Sequence, residues 1–242
     1  MLNFILGLAH ILQIYENFIP LCWILIVIIS SFMMKIVFAT GNSGKLREAS
    51  EILGEGFELV TPAAFGIIED IPETGNTLRA NSLQKAQYLY EKCGCDCFAD
   101  DTGLEVDALG GAPGVYTARY AGEDKDFNKN MDKVLYELQV LEGSRHMAAE
   151  MGLKTKPQVS RRARFKSVVT LIIDGKVQMF EGTLEGEIAY EKSGNGGFGY
   201  DPIFIADEYP GKTLADISEE QKNAISHRGK ALRAMAAWLA VK

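Results

Sequence analysis

Short apolar runs alternate with helical periods from Lys35 onward, and that alternation predicts an α/β domain. The run Ile36-Val37-Phe38-Ala39, ending at Thr40, has the length and continuity of a buried strand. Residues 45–53 follow as a helix stopped by Gly54 and Gly56. Over residues 77–92 the apolar positions Leu78, Leu83, Ala86, Leu89 and Tyr90 make an amphipathic helix, started by Asn76 or Thr77. Cys97-Phe98-Ala99 reads as a short strand that runs directly into Asp100-Asp101. Another helix is predicted over residues 125–140, and the polar, mixed stretch 142–164 reads as an extended surface loop. Residues 167–174 and 177–187 pair as a hairpin around Asp174-Gly175. A glycine-rich turn over 193–200 precedes Pro202-Ile203-Phe204-Ile205, and residues 219–241 close the chain as a long helix interrupted near His227-Arg228-Gly229. No internal repeat is visible.

Composition narrows this picture. With 242 residues, 47% of them hydrophobic, the chain can bury one sizeable core in a domain that has room for two lobes. A net charge of −7 with no long basic run argues against a general nucleic-acid binder. Of the four cysteines, Cys93, Cys95 and Cys97 are too tightly spaced for the common zinc pattern and have no histidine nearby. They read as reduced thiols around a buried strand of a cytoplasmic protein.

The first 34 residues differ from the rest. Glu16 is their one charged residue, and the eighteen residues 17–34 carry no charge. That length sits at the lower edge of a membrane span, with Pro20 interrupting it. No basic n-region or small-residue cleavage site is present, so a signal peptide fits least. The apolar run passes into Lys35-Ile36-Val37 without a linker, which favours Met33 or Met34 as the natural start. A membrane anchor is the alternative, and membrane contact is expected only if residues 1–34 belong to the protein.

Candidate chemistry begins at the turn Thr40-Gly41-Asn42-Ser43-Gly44-Lys45. A Walker loop needs four residues between its glycine and the Gly-Lys, but only Asn42 and Ser43 lie there, and Leu46 follows the lysine. A strand-to-helix turn nevertheless presents backbone N–H groups at a helix N-terminus, where an anion is favoured. Thr40, Asn42 and Ser43 add side-chain donors and Lys45 a formal charge. Next, Asp100-Asp101 stand at a strand's end, facing opposite ways if the strand continues. A carboxylate so placed can hold Mg2+ or accept a proton from water. Their adjacency excludes the two-apart spacing of haloacid-dehalogenase-type phosphatases. Glu73 is a lone carboxylate before the 77–92 helix, whose Asn81 and Lys85 share a face. Near the C-terminus, Phe198, Gly199, Tyr200 and Asp201 form an aromatic, acidic turn, while Lys222, His227 and Arg228 supply three potential cations. Phe198 can stack on a base, and Asp201 or the His227-Arg228 pair can read its edge.

Taken in order, Thr40-Gly41-Asn42-x-x-Lys45, Glu73-Thr74-Gly75, Ala99-Asp100-Asp101-Thr102-Gly103-Leu104, Gly110-Gly111-Ala112-Pro113-Gly114-Val115-Tyr116, Gly197-Phe198-Gly199-Tyr200-Asp201-Pro202 and Ser226-His227-Arg228 resemble the motifs of the inosine/xanthosine triphosphate pyrophosphatases. These enzymes clear non-standard purine nucleotides, and the resemblance spans about residues 35–239. The chain departs from the pattern in its apolar N-terminus, in a longer 142–160 segment, in Thr102 where many bacterial members have serine, and in Ala80 where glutamate is frequent. The resemblance implies an elongated α/β fold with a long mixed sheet, two lobes around a substrate cleft, and a homodimer. It implies hydrolysis of ITP, dITP and XTP to monophosphate and pyrophosphate. Residues Thr40, Gly41, Asn42, Ser43, Gly44 and Lys45 would hold the phosphates, and Thr102 would touch the substrate. Asp101 would accept the proton and hold Mg2+ together with Glu73. Base choice would fall to Phe198, Gly199, Tyr200, Asp201, Lys222, His227 and Arg228. The rival readings are an orthophosphate-releasing triphosphatase or phosphatase, and a membrane-tethered nucleotide-binding protein.

Overall fold

A computed structural model of the protein describes residues 33–69, 71–153 and 158–241. The predicted start or anchor falls mostly on residues 1–32, outside the described residues, as does part of the 142–160 segment. Eleven principal elements follow in chain order: β1 (Met34–Phe38), α1 (Ser43–Leu53), β2 (Phe57–Val60), α2 (Leu78–Cys93), β3 (Cys97–Val106), α3 (Phe127–Glu150), β4 (Arg162–Ile173), β5 (Lys176–Ile188), β6 (Phe204–Ala206), α4 (Glu219–Ile225) and α5 (His227–Leu239). The six strands form one mixed sheet in the order β2-β1-β3-β4-β5-β6. β1 runs parallel to β2 and β3, while β3, β4, β5 and β6 pair antiparallel. No helix among the described residues is long and apolar enough to cross a membrane.

The two-residue period of β3 sorts the core. Phe98 points into a cluster with Ile36 and Phe38 of β1, Ala49 of α1, and Leu232 and Met235 of α5. Cys97 and Ala99 point the other way, into a cluster with Ala86 and Leu89 of α2. Farther along, Leu104 and Val106 enter a third cluster with Val134 and Leu138 of α3, Phe165 of β4 and Phe204 of β6. The sheet therefore carries helices on both faces at one end and a separate core at the other, the two lobes. Phe38 and Phe98 stack with ring centroids 4.3 Å apart, tying β1 to β3.

Several elements differ from the sequence reading. β3 does not stop at Ala99 but runs through Asp100-Asp101 to Val106, because its whole length pairs with β4. That ladder overrides the weak strand propensity of Asp, Thr and Gly. The stretch 142–164 is not an extended loop: α3 continues to Glu150, and β4 already begins at Arg162. Leu141 packs against the third cluster, and Met147, Ala148 and Ala149 are helix formers that outweigh the break suggested by Gly143 and Ser144. β2 was not anticipated; its four residues follow directly on the α1 stop at Gly54. The hairpin turn and the break before His227 lie where the pattern placed them. Cys97 is buried on β3, and burial pushes its thiol up to about 12.

One glycine decides how α5 reaches the sheet. A Cβ on Gly182 of β5 would overlap the His227 carbonyl oxygen and lie 2.8 Å from the Ala231 nitrogen. Only glycine there lets the first turn of α5 lie on the strand.

Candidate functional site

The ladder between β1 and β3 ends at Phe38 and Phe98, continued by one bond from the Ala39 N–H to the Phe98 carbonyl. Beyond it, β3 carries Asp100 and Asp101 past the carboxyl end of β1, where the chain turns into α1. This is the position at which α/β sheets admit ligands. The turn satisfies part of itself: Asn42 Oδ1 caps α1 by accepting from Gly44 N (2.8 Å) and Lys45 N (3.1 Å), and Thr40 Oγ1 accepts from Asn42 N. Asn42 thus spends its side-chain oxygen on the helix. The N–H groups of Gly41 and Ser43 make no hydrogen bond among the described residues.

Asp100 and Asp101 face opposite sides of the sheet, as expected if the strand continues. On the α2 side, Lys85 Nζ reaches Asp101 Oδ1 at 3.0 Å and Glu73 Oε1 at 2.6 Å. Asn81 donates to the other Asp101 oxygen at 3.2 Å and accepts from Gly75 N at 2.7 Å, which fixes the Glu73 segment beside the aspartate. Burial pushes the Asp101 carboxyl above its ordinary range, and Lys85 offsets only part of that. Burial acts the same way at Glu73, but Lys85 outweighs it, helped by Lys45 and Arg119, and holds that carboxyl below its usual value. Burial opposes the Lys85 charge, yet Asp101, Asp100 and Glu73 together prevail and raise its pKa.

On the opposite side, Asp100 accepts from Lys45 Nζ at 3.0 Å and from Arg228 Nε at 2.9 Å. Arg228 also pairs with Glu48 of α1, and all three of Arg228, Asp100 and Glu48 are buried. Despite burial, Lys45 and Arg228 hold the Asp100 carboxyl far below its usual range. Burial lowers the Lys45 pKa, and Asp100 only partly compensates. Thr102 Oγ1 lies 3.1 Å from Ser167 Oγ and 3.4 Å from Asp100 Oδ2.

The C-terminal residues gather at the far side of the elbow. Asp201 Oδ2 accepts from Lys222 Nζ (2.6 Å) and Phe198 N (2.7 Å), so it shapes the turn and holds the lysine. Tyr200 is buried and donates to Thr117 O, a packing role that its aromatic character did not distinguish from base stacking. Lys222 Nζ sits 4.6 Å from the centroid of Phe198, which is 40% exposed. His227 is not a cation: burial and then Arg228 hold its pKa well below the usual value, and its ring stacks 4.8 Å from Phe165. Arg228 is tied to Asp100 and Glu48, 5.9 Å from the Phe198 ring.

Two cavities share Asn42 as a lining residue. The larger, about 960 Å3, is lined by Thr40, Gly41, Lys45, Glu73, Lys85 and Arg119 among others. The smaller, about 270 Å3, is lined by Gly44, Glu48, Phe127, Phe198 and Lys222. Sequence reasoning missed Glu48, Phe127, Ser167 and Arg119, and only the shared helix face of Asn81 and Lys85 hinted at those two.

Fold and site define an α/β protein in which a strand-to-helix elbow lies beside a lysine-braced pair of carboxylates. The sequence profile of the Ham1 family matches residues 36–238, and the chain belongs to that family. It is 46% identical over 202 residues to the dITP/XTP pyrophosphatase of Flavobacterium psychrophilum, covering 84% of this chain and 97% of that one. A HAM1 protein from Coxiella burnetii superposes with a TM-score of 0.75 at 35% identity, covering 87% of this chain and all of the other. The Ham1 protein of Staphylococcus aureus gives 0.71 at 36% identity, covering 85% and 98%.

Proposed function

We propose that this protein hydrolyses the non-standard purine nucleoside triphosphates ITP, dITP and XTP between the α and β phosphates, releasing monophosphate and pyrophosphate. The observation that carries this reading is the pair of cavities on either side of Asn42, which lines both. One is lined by an anion-binding elbow and Glu73 with Lys85, the other by a half-exposed aromatic ring and a lysine. The dITP/XTP pyrophosphatase name of a relative sharing 46% identity supports the same substrate class.

The phosphates lie on the free N–H groups of Gly41 and Ser43, with Lys45 offsetting their charge. The donor set of Glu73 and Asp101 fits Mg2+, which binds through one or two carboxylates plus substrate phosphates. Among the described residues no cluster of three or more metal-binding side chains exists, and Glu73 and Asp101 would be the two that hold the ion. Bound there, magnesium supplies charge neutralisation of the phosphoryl oxygens. Asp101 takes the proton of the attacking water, and Asn81 and Lys85 fix its orientation. Thr102, bonded to Ser167 on the Asp100 side of the sheet, touches the substrate there.

The base stacks on Phe198, and Lys222 donates to a 6-oxo group. Adenine would set its 6-amino group against that ammonium and leave a donor unpaired, a mismatch of about 1–3 kcal/mol, or roughly ten- to a hundredfold. We take residues 35–242 as the catalytic unit, working as a homodimer on the cytoplasmic nucleotide pool; sedimentation should then give twice the 26.6 kDa of one chain. A panel of nucleotides with Mg2+ and pyrophosphate detection tests the reading. ITP, dITP and XTP should turn over at least about tenfold faster than ATP. Orthophosphate as the product, or equal rates on ATP, would refute it.

A further inference from the structure

The motif Gly110-Gly111-Ala112-Pro113-Gly114-Val115-Tyr116 has no part in the chemistry above, yet the segment it opens ends at Arg119 on the wall of the larger cavity. We propose that Arg119 is a further substrate ligand, contacting the terminal phosphates, the half that departs as pyrophosphate. This rests on the pyrophosphatase reading.

Charge accounting comes first. Four cations line the larger cavity, Lys45, Lys85, Arg119 and Lys125. Lys45 is paired with Asp100, and Lys85 with Glu73 and Asp101. The Arg119 guanidinium has no ion pair or hydrogen bond among the described residues and rests 5.4 Å from the Tyr116 ring centroid. A half-buried guanidinium lining the same cavity as three other cations, with its five donors unspent, is matched to an arriving phosphate, which it can grip with two parallel bonds.

Rigidity comes second. The backbone on both sides of Arg119 is fastened from three directions. Tyr200 donates to Thr117 O at 2.8 Å, buried Asn130 to Ala118 O at 3.0 Å, and Lys133 to Tyr120 O at 2.8 Å. Asn130 Oδ1 also accepts from Ala121 N at 2.6 Å. Thr117 Oγ1 accepts from Leu104 N at 2.8 Å and donates to Gly114 O, joining the segment to β3 three residues after Asp101. Gly103 permits the contact, since a Cβ there would stand 2.7 Å from Gly114 O. A mobile surface arginine needs no such platform; a ligand that must meet a phosphate does.

Position comes third. The base end is the smaller cavity at Phe198 and Lys222, and Asn42 is the shared wall. Arg119 lines only the larger one, with Glu73 and Lys85, and so belongs to the phosphate end.

Isothermal calorimetry with magnesium pyrophosphate, run beside steady-state ITP kinetics, tests this on the full chain and its Arg119→Gln and Arg119→Lys variants. Loss of a charge-assisted contact predicts that Arg119→Gln weakens pyrophosphate binding and raises KM for ITP by about tenfold or more each. The same reasoning leaves kcat within about threefold, and Arg119→Lys recovers at least half of the loss on a logarithmic scale. Pyrophosphate affinity and KM within about twofold of wild type overturn the proposal, as does a loss confined to kcat or a lysine variant no better than glutamine. Orthophosphate from ITP with pyrophosphate binding still sensitive to Arg119 would remove the pyrophosphatase reading and leave the contact standing. Pyrophosphate as product with insensitive binding would remove the contact alone.

Discussion

Replacing Arg228 by methionine removes the cation shared by Asp100 and Glu48. Arg228 is 3% exposed, Asp100 1% and Glu48 7%, so solvent cannot take the guanidinium's place. Asp100 would retain Lys45, but Glu48 would keep only the Ser226 hydroxyl at 3.4 Å. Removing one partner of a buried pair costs about 3–5 kcal/mol, mostly from the charge left behind. For a chain of this size that lowers Tm by roughly 10 °C. The contrast is Arg162→Met, whose partner Asp207 is half exposed like Arg162 itself; that change should cost under about 1 kcal/mol. Urea unfolding followed by circular dichroism measures both. The pH dependence adds a second check. Asp100, depressed in the folded state, contributes stability that is present above its unfolded value of about 3.9 and lost as pH falls through its folded one. In the variant its carboxyl loses a partner and rises, so the deficit is full above that raised value and narrows as pH falls below it. Replacing Glu48 by methionine as well should recover part of the loss, because the second buried charge goes too. A variant within about 1 kcal/mol of wild type, or no different from Arg162→Met, would refute the assignment of this network as buried and charged.

Three further outcomes are expected. Asp101→Asn should keep the fold, since the one remaining oxygen can still accept from Lys85, which also keeps Glu73, while kcat falls by about 10²–10⁴; single-turnover kinetics would read it. Lys222→Met should leave Phe198 to stack but erase most of the preference for ITP over ATP, a drop of roughly tenfold in the ratio of kcat/KM values. A chain begun at Met33 should match the full chain in ITP turnover, because every residue of the site lies beyond β1's first position; a drop beyond about threefold would give residues 1–32 a part in catalysis.

Local chemistry was legible where it is written in adjacent residues. The elbow announces itself because an apolar run meets glycines and a lysine, and the structure uses those residues to end β1 and cap α1. Adjacent aspartates on a strand must diverge, and β3 makes them do so. What the sequence hides is what the fold brings together over distance. Arg228 and Glu48 meet across 180 positions, and nothing around Glu48 separates it from any other helix glutamate. Lys85 shares a face with Asn81, but its two carboxylates arrive from separate segments, 12 and 16 residues away. The extent of β3 and of α3 was misjudged for one reason: pairing with β4 and packing of Leu141 on the core outweigh residues that are poor strand or helix formers.

The central claim is that a triphosphate spans from the Thr40–Lys45 elbow to the carboxylates braced by Lys85. Crystals of Asp101→Asn grown with ITP and Mg2+ test it directly. Phosphate oxygens should be seen on Gly41, Ser43 and Lys45, with the metal beside Glu73 and the purine over Phe198. Phosphates bound away from the elbow, or a purine outside the Phe198 pocket, would contradict the account.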